Sequence, residues 1–508
     1  MKKLSWEKII VILLSFVMWG ILTYFLFFLN IRNQVGDTTF VAQVLYNFKQ
    51  TVRMQTTYYT STTESIDHVW YKPAAEVCAM DLESKFTDTP WGHHYFIAYL
   101  LIPLARMMDI PLMIALLHAG IYTSLLVFVY VLARQKKLSI LLAILFTVLV
   151  MQHPLWDQGL TGQLYFNRLF LPFSGLLILL LDRSKINYWL VFLAGMLAAS
   201  TNEIYGITIF IMLCSYLWVY KKFDRKITIF AVIFLGFGVL STAYIQSHFP
   251  LGSTQTSSLG SLFGHGLDGI FRSVWMRLME PTTQTFLAVN FLALGGFAQF
   301  NFRLILPLLM ILGPNVLVTV GGAEKIGWST HYHTGYFIPL IWISLIGLSK
   351  LNNRPRAQAV LIGAAIIFTM WVNPATLRIN EQPTVVIKKL IQSVRYQHQK
   401  VALSLDFRRR LREAVGEGST LSVPEAVAYN LFDHKMYYYP MGIDSVNAVI
   451  LRYDGTKTAD QRLSSINYGQ QDPNLDSCIL DRMKKGGFDF DNLTIVDEWA
   501  VIKRKTIP

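Results

Sequence analysis

Eleven apolar runs succeed one another along the first 373 residues, separated by short polar stretches. They fall at about 8–29, 111–133, 138–152, 164–181, 187–200, 204–220, 227–247, 284–300, 304–320, 335–349 and 357–373. A helix that crosses a bilayer needs about 20 apolar residues, fewer when it is packed in a bundle. The pattern predicts eleven crossings and, at 94–107, a further short helix that need not cross. Within the first loop, Phe40, Val44, Leu45 and Phe48 repeat at helical spacing and predict a short helix along the membrane surface. Asp37-Thr-Thr opens it as an N-cap region.

Beyond 377 the periods shorten and mix. A mostly polar connector (378–400, helical around Val385–Val394) leads to a helix from Ser404 and a strand at Ser419–Val423. A helix with Pro424 in its first turn follows, then strands from Lys435 and Ala448 and a terminal hairpin from Leu493. The reading is an α-helical polytopic membrane protein with a C-terminal external α/β domain. Residues 1–377 form the membrane domain, with a long first external loop at 30–93, and 378–508 the soluble domain.

Composition agrees. Of 508 residues 53% are hydrophobic and 15% charged, against about 25% charged in soluble chains. The tail holds 19 Lys+Arg and 16 Asp+Glu in its last 131 residues. Such a chain is neither disordered nor an ordinary soluble enzyme, and three cysteines make no disulfide scaffold. Basic residues set the orientation, because short cytoplasmic loops collect them. Lys2, Lys3, Lys8, Arg134, Lys136, Lys137, Lys221, Lys222, Arg354 and Arg356 fall on one side of alternating crossings. The N-terminus is then cytoplasmic, the first span an uncleaved anchor, and the tail external in the periplasm. Much of the +13 net charge is thereby topological.

Apart from Glu7, Asp182 and Asp224, the acids of the membrane part collect on the outer face, with most of its histidines. Asp37 reads either as a general base at the mouth of an external cavity or as a capping aspartate. Glu203, between two apolar runs, is a functional candidate or a plain outer-loop acid. Arg168, Arg272 and Arg277 suit phosphate clamps or headgroup contacts. His331 and His333, with His93 and His94, suit an anion. No tight zinc pattern is present, so no metal ligand is assigned; a divalent metal stays open as a cofactor. Cys78 and Cys478 are both external on this reading, and a bridge between them stays open. There is no P-loop, dinucleotide turn or nucleophile elbow.

Four stretches in order resemble the GT-C superfamily of membrane glycosyltransferases, and more narrowly an uncharacterised prokaryotic family of GT-C-like membrane proteins. They are Gly36-Asp37 to Gln43, His93 to Pro103, Thr330-His-Tyr-His to Pro339, and Leu421-Ser-Val-Pro to Tyr-Tyr-Tyr-Pro440. The resemblance implies transfer of a sugar from a polyprenyl-phosphate donor to a glycan, glycolipid or protein acceptor on the outer face of the cytoplasmic membrane. It implies inversion, with Asp37 as base and Arg168, Arg272, His331 and His333 at the donor phosphate. Gln43, His93, His94 and Glu203 are further cavity candidates. Two stretches depart from the family pattern: Trp91-Gly92 stands where an acid often precedes the His, and Thr201-Asn202-Glu203 replaces a Lys-Glu-Asp-like motif. Partners expected are the lipid donor, the acceptor and membrane lipid, with no nucleic acid. The alternatives are a transporter or flippase of lipid-linked or polar solutes, and a non-catalytic envelope-assembly factor.

Overall fold

The computed structural model describes 6–32, 36–83 (without 52, 55, 59, 60 and 62–71), 95–248 (without 222), 266–317, 325–372 (without 329), 404–456, 463–464 and 473–505. The described residues are mostly helical, with a small C-terminal sheet. They divide into two compact units.

The first unit takes in 1–23, 92–100 and 116–386. Each of the eleven apolar runs falls on a helix, from Trp6–Arg32 and Ile110–Gln135 to Thr334–Ser349 and Pro355–Val372. Four are long and apolar enough to cross a membrane, and a fifth arises if Ile140–Gln152 and Pro154–Leu160, bent by 59°, count as one span. The others are apolar helices of 10–17 residues (Tyr188–Ala199 and Tyr205–Tyr220 among them) or, like Pro281–Ala293, lie outside those two groups. The outer faces of the long helices leave Leu14, Phe16, Leu240 and Val360 exposed. Exposed apolar side chains of that extent are compatible with a lipid surround. Helix contacts inside the unit rely on small residues. At the crossing of Tyr205–Tyr220 with Arg225–His248, a Cβ on Gly206 would lie 2.6 Å from the Gly238 nitrogen, so backbone meets backbone there. The additional helix expected at 94–107 forms as two short pieces, Phe96–Tyr99 and Ile102–Met107.

The second unit takes in 24–91, 101–115 and 387–508. Its strands are β1 (Thr420–Val423), β2 (Lys435–Tyr438), β3 (Ala448–Tyr453), β4 (Leu463–Ser464), β5 (Thr494–Val496) and β6 (Trp499–Lys503). The order is β2-β1-β3-β6-β5, with β4 also on β3. β2, β1 and β3 run parallel; β3–β6 and the expected β5–β6 hairpin are antiparallel. Helix Pro473–Lys485 lays Ile479 and Met483 onto Val449, Leu451, Ala500 and Ile502. The helical stretch expected at Val385–Val394 lies outside the described residues.

Residues of the first loop complete this unit. Val77 and Leu82 enter the same core. Cys78 and Cys478 form a disulfide, Arg482 Nη1 donates to the Met80 carbonyl at 2.5 Å, and Gly442 N donates to the Leu82 carbonyl at 2.7 Å. The expected short helix forms as Gly36–Asn47, beginning one residue before Asp37. Its apolar residues Phe40, Val44 and Leu45, and Phe48 just after it, are buried inside the unit, so they are not free to lie on a membrane surface. Phe40 meets Tyr58, which meets Tyr438 of β2. The spacing that suits a lipid surface suits a protein core equally well.

Candidate functional site

Within the first unit, one cleft gathers Tyr122, Leu155, Arg168, Leu171, Trp328, Thr330, His333, Thr334 and Phe337. Three pieces of chain supply its polar groups. The helix Ile110–Gln135 presents His118 and, one turn on, Tyr122. Helix Ile140–Gln152 then breaks, and His153 caps the next helix, Pro154–Thr161, by accepting from Leu155 N at 3.2 Å through Nδ1. A following 3-10 turn, Phe166–Leu169, delivers Arg168.

Arg168 is 2% exposed. Its Nε donates to the Gln163 carbonyl at 2.8 Å, its Nη1 bonds the Tyr122 hydroxyl, and its guanidinium lies 5.8 Å from both the Tyr122 and Tyr165 ring centres. Beneath the pair, His118 Nε2 and the Gly159 carbonyl are 3.2 Å apart. A guanidinium taken out of water needs its donors satisfied. Here a carbonyl, a hydroxyl and two ring faces hold it in one orientation.

The opposite wall is the segment before helix Thr334–Ser349. His333 is buried, with Nδ1 2.8 Å from the Tyr336 hydroxyl. Trp328 lies 4.8 Å from the His333 ring and stacks on Phe286 at 6.0 Å. The His153 ring sits 6.2 Å from Trp328 and 5.2 Å from Phe337. His118 Nδ1 and His153 Nε2 are buried and make no hydrogen bond among the described residues. Tyr205 packs on Phe170 at 4.4 Å and hydrogen-bonds the side chain of Thr334; it feels the charges of both Glu203 and Arg168. Glu203 itself is 4% exposed. The cleft is narrow, with room for about one water-sized group.

Of the residues singled out from sequence, Arg168 and His333 share this cleft; Glu203 does not line it, but its charge acts on Tyr205, which hydrogen-bonds Thr334 of the lining. Arg272 does not line it: its side chain is exposed on helix Gly266–Met279. Gln43 is a buried structural bridge in the second unit. Its Oε1 accepts from the Thr56 hydroxyl and from Tyr58 N, and its Nε2 donates to the Thr57 hydroxyl at 3.2 Å and the His434 carbonyl at 3.5 Å. Asp37 stands in the first turn of Gly36–Asn47, and His331 in the 3-10 turn His331–His333. The side chains of both, with His93 and His94, lie outside the described residues. Among the described residues no group of three or more His, Cys, Asp or Glu forms a metal set.

Tyr122, His118 and His153 are the residues that position alone did not single out for this cleft. The available signal was an ionisable residue inside an apolar span, His118, with a tyrosine one turn away on the same face. No protein-family model matches the chain, and no curated protein matches it.

Proposed function

We propose that the chain is an integral membrane glycosyltransferase of GT-C type, with eleven crossings, that moves a sugar from a polyprenyl-phosphate donor to an acceptor at the outer face of the membrane. The observation that carries this reading is the cleft in which the oriented guanidinium of Arg168 and the imidazole of His333 converge on one small space. Two donors of that kind, held in place before the ligand arrives, suit a departing phosphate. Trp328, stacked on Phe286 and tilted against His333, offers an apolar wall of the kind a sugar ring packs against.

In this reaction Asp37 takes the proton of the acceptor hydroxyl. The freed oxygen attacks the anomeric carbon from the face opposite the phosphate. The carbon–oxygen bond to the phosphate breaks, its electron pair stays on the phosphate oxygen, and the sugar inverts. Arg168 and His333 balance the charge that develops there. A phosphate is larger than the present cleft, so entry requires the side chains that line it to move apart.

The topology rests on two supports. A disulfide persists in an oxidising compartment, which favours a periplasmic second unit. Because Cys78 and Cys478 are bonded, both lie on one side, so an even number of crossings separates them. Ten crossings after the first satisfy that parity, and they leave the N-terminus cytoplasmic, where its lysines are expected.

The test is substitution of Asp37→Asn and Arg168→Gln in cells, followed by mass spectrometry of envelope glycans and glycolipids. Each variant is expected to lose a sugar addition that wild type performs. Unchanged profiles, with the proteins present in the membrane, would refute the assignment. If the chain were a flippase, the variants would instead leave the sugar attached to its lipid and confined to the inner leaflet.

A further inference from the structure

Asp109 ends the polar stretch before the apolar helix Ile110–Gln135, and its Oδ2 accepts from Leu112 N at 3.3 Å. That places Asp109 at the level where the span enters the membrane interface. The preceding helix, Ile102–Met107, leaves Leu104 and Met107 exposed, Met107 by 82%, as a segment that touches lipid would. The helix at 404–415 carries Arg408 and Arg412 one turn apart. Asp109 acts on the charge of both, so this helix lies near the start of that span.

The two arginines differ in their surroundings. Arg412 pairs with Asp433. Arg408 is half-buried and lies 5.5 Å above the Phe432 ring. It makes no hydrogen bond or ion pair among the described residues, and burial pulls its pKa down. Next to it in charge terms is Tyr429, whose hydroxyl is fully buried and has no hydrogen-bond partner among the described residues. The Tyr429 O–H, drawn out of water, lacks an acceptor among the described residues, and the half-exposed Arg408 beside it keeps N–H donors open to solvent. Asp109 is exposed and already caps its helix, and Asp433 is committed to Arg412.

We infer that Arg408 and the Tyr429 hydroxyl, with Arg412 beside them, form a binding site for a phosphate group at the membrane interface of the second unit. The planar fork of Arg408 matches phosphate oxygens, and the phenol supplies a further donor. This site is separate from the Arg168 cleft and does not depend on the reaction proposed for it. Its occupant is a phospholipid headgroup or a free phosphate, which share this chemistry.

The experiment uses the full chain in detergent, stripped of phospholipid. Hydrogen exchange of 404–415 and 425–432 is followed on titration with three probes: inorganic phosphate, dioctanoyl phosphatidylglycerol and phosphate-free dioctanoylglycerol. Slower exchange with phosphatidylglycerol alone assigns the site to a headgroup. Slower exchange with inorganic phosphate as well shows that phosphate by itself suffices. Arg408→Gln is expected to weaken the response by about tenfold. Tyr429→Phe, which removes one atom and keeps the packing, should weaken it in the same direction and serves if the arginine variant fails to fold. Dioctanoylglycerol protecting as well as phosphatidylglycerol, no protection by any probe, or both variants responding like wild type would overturn the site.

Discussion

Gly159 sits under the Arg168–Tyr122 pair, and adding one methyl group there tests whether that pair sets the cleft. In Gly159→Ala the new Cβ would press on the Tyr122 hydroxyl and lie 2.9 Å from Arg168 Nη1 and 3.1 Å from Tyr122 Cζ. Both groups are buried and bonded to each other, so the pair cannot keep its present geometry, and the guanidinium is displaced from the orientation that Gln163 and Tyr122 give it. Overpacking of this kind costs about 1–3 kcal/mol of stability. Losing a charge-assisted hydrogen bond to phosphate costs about 1.5–3 kcal/mol, which corresponds to roughly 10- to 150-fold in transfer. Tyr122→Phe removes the nearest clashing atom and also the acceptor of Arg168. Independent effects would make the double variant worse than Gly159→Ala alone. Relief of the clash makes it better. Thermal unfolding in detergent and mass spectrometry of envelope glycans read the two consequences separately. A Gly159→Ala variant with wild-type glycans, or a double variant that falls by the sum of the singles, would refute the coupling.

Arg168→Lys keeps the charge but not the fork that reaches both Gln163 and Tyr122, so it should restore little of the activity lost in Arg168→Gln in the same glycan assay. Removing the disulfide by Cys478→Ser should cost about 2–5 kcal/mol, read as a lower unfolding temperature. In intact cells, a membrane-impermeant maleimide should label Cys78 and Cys478 only after reduction. Burial, with Arg412 adding to it, holds His434 below the usual imidazole pKa, so the unfolded chain binds a proton more readily than the folded one. Its contribution is present above about pH 6.5 and is lost as pH falls from there toward the folded value. His434→Gln should flatten that acid destabilisation, measured as unfolding midpoint between about pH 7 and pH 5; an unchanged slope would remove His434 as the cause. Gln43→Leu removes the acceptor of the Thr56 hydroxyl and the Tyr58 amide and a donor to the Thr57 hydroxyl, whose bond to the Met436 carbonyl remains; it should cost about 1–3 kcal/mol, seen as faster exchange at the Tyr58 amide.

The helices were legible because an apolar run of 12 or more residues has few other ways to satisfy its backbone. The sheet was legible from short β-branched and aromatic runs such as Ala448–Tyr453. The partner of the first-loop helix was not. Phe40, Val44, Leu45 and Phe48 announce an apolar face, and periodicity does not say whether lipid or protein covers it. Part of the answer lay far along the chain, where Tyr46 of the helix meets Phe432, and Tyr58, in contact with Phe40, meets Tyr438; only tertiary contact reveals such pairs. The cleft divides the same way. Arg168, His333 and Glu203 stand out because charge is rare in this chain, so each carries its own signal. Tyr122 and Gly159 carry none: a tyrosine in an apolar helix and a glycine near a break read as ordinary packing. Yet they fix where the guanidinium points. In a charge-poor membrane chain, the sequence therefore exposes the groups that meet a ligand more readily than the neutral ones that orient them. The Gly159 and Tyr122 variants are accordingly the more demanding test of the cleft, because they act on its geometry and leave its charges in place.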